Sequence, residues 1–227
     1  MKRHQADTIR FFDRLRPGRV LDAGSGTDEL ATKLRAKGFE VFSLDLYSIG
    51  ARGRFVKADL NQPLPFTPAS FDYVLCSESM QYLENHASLM REFAAAVKPG
   101  GSVVISTPNI LNGASRLYFL QRGYFPFFKP VRTVDGAKGW DAVVYHPISL
   151  VDIIALGIKN RLAIKEVATS HMKGAALIIY PFLKGLYLAG LIFEKDRAKA
   201  AYIKLLASKE ALAGDHLIIR LERGTDD

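Results

Sequence analysis

The chain holds a single cysteine, Cys76, among its 227 residues. One cysteine excludes an internal disulfide framework and a cysteine-built zinc site, and it suits a reducing cytoplasm. Residues 1–16 lack an apolar core and carry scattered charges, so a secretory signal is not expected there. Internal repeats and low-complexity linkers are lacking too. With a hydrophobic fraction of 48%, the chain suits one domain over 1–227 with a sizeable core. Acidic residues are the scarcer charge: 23 Asp and Glu against 31 Lys and Arg, a net +8. That balance permits an anionic partner such as nucleic acid, anionic lipid or a phosphorylated substrate, and equally a soluble protein that is merely basic.

What is present is an alternation of short apolar runs and helical spacings. Runs at 19–22, 40–45, 53–57, 71–76 and 102–107 read as strands, with helices over 28–37 and 86–97. Gly38 and Pro99-Gly100-Gly101 stop those helices. The pattern predicts an α/β fold, a mostly parallel sheet covered by helices on both faces. Residues 1–18 form an N-terminal helix or cap. Residues 108–147, rich in aromatics, Gly and Pro, read as a lid. Then follow a helix over 149–157, a strand over 162–169, a long insertion over 170–213 and a last strand over 216–222.

"VLDAGSGTDEL", residues 20–30, ends a strand in an acid, passes Gly24-Ser25-Gly26 and opens a helix. Glycines there let a ligand lie against bare backbone. The third glycine of a dinucleotide-binding turn is missing, and Asp28 and Glu29 would repel a phosphate at the helix end. A cationic or zwitterionic ligand matches better. Asp45 ends the next strand, where an acid accepts hydrogen bonds from ribose hydroxyls. A ligand with a ribose and no phosphate fits S-adenosylmethionine; a tight turn with no ligand is the other reading. Asp59-Leu60 follows the third strand and Ser77-Glu78 ends the fourth. With Asp22 and Asp45 they gather on the carboxyl edge of the sheet, where doubly wound folds bind ligands.

These stretches, "VLDAGSGT", "SLDLYS", "KADLNQPLPF", "FDYVLCSESMQYL" and "LMREFAAAVKPGGSVVISTPN", resemble the class I S-adenosylmethionine-dependent methyltransferases of the small-molecule type, methyltransferase domain 11/23-like. The resemblance is specific over 19–109 and returns at "HPISLVDIIAL" and "GDHLIIRLER". It implies a Rossmann-like, seven-stranded sheet with an antiparallel last strand. It also implies a cofactor site of Asp22, Gly24, Ser25, Gly26, Asp45, Leu46, Asp59, Leu60, Ser77 and Glu78. Gly24 and Gly26 would pass under the methionine part, Asp45 would bind the ribose, and Asp59 and Leu60 would flank the adenine. Ser77 and Glu78 would line the floor beneath the sulfonium. Two positions depart from the pattern. The third glycine is Asp28, read as a simple helix acid or as a partner of the methionine ammonium, and a frequent histidine is Tyr82.

Methyl transfer from a sulfonium needs alignment and exclusion of water, with no covalent nucleophile, so Cys76 reads as core. A hydroxyl acceptor gains from a base. His146, between the aromatic lid and the next helix, is the first candidate; the other reading is that it shapes the turn before Pro147. His86 reads as a surface helix start. His4, His171 and His216 are too scattered to suggest a metal cluster, and no metal is expected. Arg116, Arg122 and Lys129 interleave with Tyr118, Phe119, Tyr124, Phe125, Phe127 and Phe128 in the lid, a mixture that stacks sugars or bases or lies in a membrane interface.

Residues 174–193, "GAALIIYPFLKGLYLAGLIF", have the length of a membrane span but hold Pro181, Lys184 and Gly185. A span would also strand the final strand on the wrong side. An interface-lying segment or a packing surface remains, and the basic stretch that follows tips the reading toward anionic lipid. The expectation is therefore a cytoplasmic enzyme, peripheral on the inner face of the membrane, that O-methylates a small or lipid-linked acceptor of a glycan or lipid pathway. A homodimer is compatible with it. An RNA-modifying methyltransferase and a catalytically silent binding module are the alternatives. Ser77-Glu78-Ser79-Met80 stands where base-amine methylases carry Asn/Asp-Pro-Pro-aromatic, so nucleic acid is not the expected partner.

Overall fold

The computed structural model describes residues 3–50, 53–128 and 146–225. The expected strands appear as β1 (Arg19–Ala23), β2 (Glu40–Asp45), β3 (Arg54–Lys57), β4 (Phe71–Ser77), β5 (Val97–Pro108), β6 (Leu162–Thr169) and β7 (His216–Arg223). They form a seven-stranded sheet in the order β3-β2-β1-β4-β5-β7-β6. Pairings from β3 through β5 are parallel, and β7 runs antiparallel to both β5 and β6. Strand order reverses between β1 and β4, which is where an open α/β sheet leaves a crevice.

The central strands β1, β4 and β5 are apolar enough to be covered on both faces. Val20, Leu21, Val74, Leu75, Val103, Val104 and Ile105 are fully buried. One face is packed by α3 (His86–Ala96) and α5 (Leu150–Lys159) through Leu89, Phe93 and Ile153. The other is packed by α1 (Arg3–Phe12) and α2 (Glu29–Ala36) through Phe12, Leu30 and Leu34. Phe12 sits edge-on to Phe39 and Tyr73, at 5.5 and 5.9 Å, so the N-terminal cap is part of the core. Helix α5 starts in a reciprocal cap. Ser149 accepts from the Asp152 amide while Asp152 accepts from the Ser149 amide, which satisfies two otherwise orphaned donors.

Within the proposed lid, α4 (Gly113–Arg122) is helical, and 129–145, with Lys129, lie outside the described residues. The insertion before β7 folds as α6 (Gly174–Leu191), α7 (Arg197–Leu206) and α8 (Lys209–Ala213). Helix α6 packs along α4 so closely that a Cβ at Gly113 would lie 3.0 Å from Leu183. Arg116, one of the cations among the lid aromatics, bonds Leu111 O at 2.7 Å and the Tyr187 hydroxyl at 2.8 Å, so it pins α4 to α6. The lid aromatics pair among themselves, with Phe119 stacked on Phe125 at 4.6 Å and Tyr118 edge-on to Tyr124 at 5.6 Å.

Only Ala176 of α6 is buried. Ile178, Phe182 and Leu186 recur every fourth residue and are 82%, 67% and 56% exposed. The helix is long and apolar enough to cross a membrane by length and composition. Yet the chain returns from it into β7, between β5 and β6, which keeps both of its ends with the domain.

Candidate active site

A cleft of about 390 Å³ opens at the carboxyl ends of β1, β2 and β4, within the usual size of small-molecule sites. Its walls include Gly24, Ser25, Gly26, Asp45, Leu46, Asp59, Leu60, Ser77 and Glu78. Nine of the ten cofactor residues expected from the sequence thus face one cavity. Gln5, Leu30, Tyr47, Asn61, Ser79, Tyr82 and Leu83 complete it. Asn61 was within reach of sequence reasoning, two residues past Asp59. Gln5 was not, because only the packing of α1 brings it there.

The Gly24–Gly26 turn is tightly built. Gly24 has φ 86°, and a Cβ there would lie 2.1 Å from Ser79 Oγ, which donates to the Gly24 carbonyl at 3.2 Å. The Gly26 amide donates to Asp45 at 2.9 Å and the Tyr47 amide donates to its other oxygen at 2.9 Å. Two backbone donors therefore fix the Asp45 carboxylate, and each oxygen keeps capacity for a ribose hydroxyl. Asp59 is held in the same way by the amide and side chain of Asn61, at 2.9 and 3.2 Å.

Asp28 neither opens its helix as a simple acid nor reaches the cleft. It occupies the left-handed region at φ 61°, which Asp tolerates better than most side chains. Its buried carboxylate accepts from Arg35 Nη1 at 2.7 Å and from Ser43 Oγ at 2.5 Å. The backbone shape that favours glycine is kept, and the side chain is spent on α2 and β2.

Asp22, the tenth residue expected at the cofactor, is buried in β1 and is not on the cleft wall. Among the described residues neither of its oxygens has a hydrogen-bond partner. Burial pushes its pKa up to about 7; Asp28 and Asp45 add to the rise and Arg35 opposes it. A buried, unpartnered acid just before a bare-backbone turn calls for a cationic group nearby. Together with the fixed acceptors at Asp45 and Asp59, it matches the ammonium, ribose and adenine of S-adenosylmethionine. Ser77 Oγ and Ser25 Oγ are likewise buried with no partner among the described residues.

Cys76 is fully buried within the hydrophobic core, as expected, and burial pushes its thiol pKa well up. The His146 amide donates to Gln81 O at 2.9 Å, which puts this residue beside the 3-10 turn Met80–Tyr82; it is not on the cleft wall. His86 does start α3, and its ring also bonds Met80 O at 2.8 Å. The rings of His4 and His216, far apart in sequence, meet tilted at 5.1 Å next to Glu78.

An open, reversed-order α/β sheet with an antiparallel penultimate position and a cleft of this composition defines the class I methyltransferase fold. The chain belongs to the methyltransferase domain family, whose model matches residues 2–133. It is 35% identical over 109 residues to a malonyl-[acyl-carrier protein] O-methyltransferase of Erwinia pyrifoliae, covering 43% of this chain and 41% of that protein. It is 30% identical over 103 residues to a ubiquinone biosynthesis O-methyltransferase of Aliivibrio fischeri, covering 40% and 44%. The aligned part thus spans less than half the length of these curated relatives. An S-adenosylmethionine-dependent methyltransferase structure from Mesorhizobium loti superposes over 97% of this chain and 98% of its own, with TM-score 0.58 and 18% identity.

Proposed function

We propose that this chain is an S-adenosylmethionine-dependent methyltransferase that methylates an oxygen of a small or lipid-linked acceptor. The observation that carries the reading is the cleft itself, with Asp45 and Asp59 held as acceptors and the unpartnered acid Asp22 buried in β1. The names of the two O-methyltransferase relatives support oxygen as the acceptor atom. When bound, S-adenosylmethionine supplies an activated methyl group on a sulfonium. The chain's residues bind and orient. The Gly24–Gly26 backbone carries the methionine part, Asp45 takes the ribose hydroxyls, Asp59 faces the adenine amine, and Ser77 and Glu78 floor the reacting end. Positioning of this kind is worth roughly 7–11 kcal/mol at best. His146, tied beside Tyr82, is the proposed base for an acceptor hydroxyl; its substitution by alanine should lower turnover about 10²-fold and spare cofactor affinity.

Work at a membrane surface is part of the proposal, with the protein cytoplasmic and peripheral on the inner face. It is supported by the exposed apolar face of α6 and by Lys195, Arg197 and Lys199 just beyond it. The test is calorimetry with S-adenosylmethionine and S-adenosylhomocysteine, then mass spectrometry of polar and lipid extracts incubated with labelled cofactor. A labelled ether or ester is expected. Cofactor binding with no labelled product from any extract would favour a silent module, and salt-sensitive retention of labelled RNA would favour an RNA enzyme.

A further inference from the structure

Three residues far apart in sequence converge on one edge of the cleft. His4 lies in the first turn of α1, Glu78 directly follows β4, and His216 opens β7 opposite Pro108 of β5. His216 Nε2 is 3.6 Å from Glu78 Oε2, and one ligand atom from each of the three lies within 4.8 Å of the others. Donors on a tetrahedral ion lie about 3.4 Å apart for bonds of about 2.1 Å, so small side-chain rotations close the set. All three are half-buried, and Glu78 also lines the cleft.

The surroundings orient these donors. His216 Nδ1 is 3.0 Å from Asp215 Oδ2, so an Nδ1–H donated to that carboxylate leaves the Nε2 lone pair turned toward Glu78. Asp215 is in turn paired with Lys173 at 2.8 Å, and its carbonyl accepts from the Asn109 amide at 2.8 Å. The other oxygen of Glu78 accepts from Ser106 Oγ at 3.0 Å. Glu78 itself sits in the left-handed region, at φ 57°. A carboxylate behind a ligating histidine is the usual second shell of a protein metal site.

We propose that His4, Glu78 and His216 bind a divalent transition metal ion of the zinc, cobalt or manganese type. Two imidazoles and one carboxylate suit such ions, and three protein ligands leave coordination positions for water or an acceptor oxygen. This rests on the methyltransferase reading above, since Glu78 also lines the cofactor cleft. A hydroxyl that ligates the ion gives up its proton to bulk water more readily, so the site selects acceptors whose oxygen can bind a metal.

The test uses the full chain stripped with chelator, titrated with Zn(II) by calorimetry and with Co(II) by visible absorption. Bands saturating at one ion per chain are expected, with affinity lowered at least 100-fold by His216→Ala and about 10–100-fold by Asp215→Asn. His4→Ala removes a ligand from the first turn of α1, outside the sheet, and serves where His216→Ala fails to fold. Bands that persist in both variants overturn the site. A parent chain that binds S-adenosylhomocysteine yet gives no saturable Co(II) bands overturns the metal site and leaves the methyltransferase reading standing. Saturable bands without S-adenosylhomocysteine binding do the reverse.

Discussion

The Asp28 carboxylate takes a hydrogen bond from Arg35 Nη1 at 2.7 Å, one side of a small buried network that also holds Ser43. The acid standing in place of a glycine therefore ties α2 to β2 through Arg35 and Ser43. Asp28→Ala should destabilise the fold by roughly 1–3 kcal/mol, because it leaves Arg35 and Ser43 short of a partner in a largely buried place. Asp28→Asn should cost less, since Asn also tolerates positive φ and keeps one acceptor. Chemical denaturation of the three proteins checks the order; equal midpoints would remove the network from the account.

Cofactor affinity should depend on Asp45 by about 1.5–3 kcal/mol, the range for hydrogen bonds to a charged group. Asp45→Ala removes both the ribose acceptor and the anchor of the Gly26 amide. Calorimetry with S-adenosylhomocysteine measures it, and an unchanged affinity would take Asp45 out of the ribose site.

Asp22 sets a pH dependence whose sign follows from its raised pKa of about 7. The folded chain holds this proton more tightly than the unfolded one, so stability from this group is full below the unfolded carboxylate pKa. It is lost as pH rises toward 7. Asp22→Asn should match the parent near pH 4 and be the more stable of the two at pH 8, read from thermal melts at both. A cationic ligand reverses the preference. Binding of S-adenosylmethionine to the parent near pH 6 should release a proton, seen as a buffer-dependent heat that the Asn variant lacks.

The apolar face of α6 gives a prediction about place. Serine at Ile178, Phe182, Leu186 and Phe193 should abolish flotation with liposomes rich in acidic lipid, and the parent's flotation should weaken with salt. The first three sites share one face at four-residue spacing, and Phe193 is 86% exposed. A parent protein that stays soluble with every lipid mixture would make this face a contact between copies, to be sought by sedimentation.

The strands and most of the cofactor cleft were readable because they are local. An apolar run ending in an acid announces its own place at a sheet edge, as Asp45 and Asp59 did. Asp28 was misread because its role depends on Arg35 and Ser43, and a left-handed backbone leaves no mark in a sequence where Asp can adopt it. Gln5, His4 and His216 were invisible as site residues because the packing of α1 and the late arrival of β7 bring them there. His146 was suggested by its neighbours in sequence, and its amide bond to Gln81 holds it next to the turn that carries Tyr82, outside the lining of the cleft.

The position of β7 also bears on how the molecule comes into being. This strand lies between β5 and β6 and is the last of the seven to leave the ribosome. Until it arrives, β5 has an open edge and β6 has no neighbour among the described strands, while α6 has already emerged with its greasy side uncovered. Open strand edges and uncovered apolar surface invite wrong association during synthesis. Slow decoding of the codons for β7 would lengthen that exposed interval. Nascent chains stalled before residue 216 should therefore be the ones that chaperones, or a nearby bilayer, capture most.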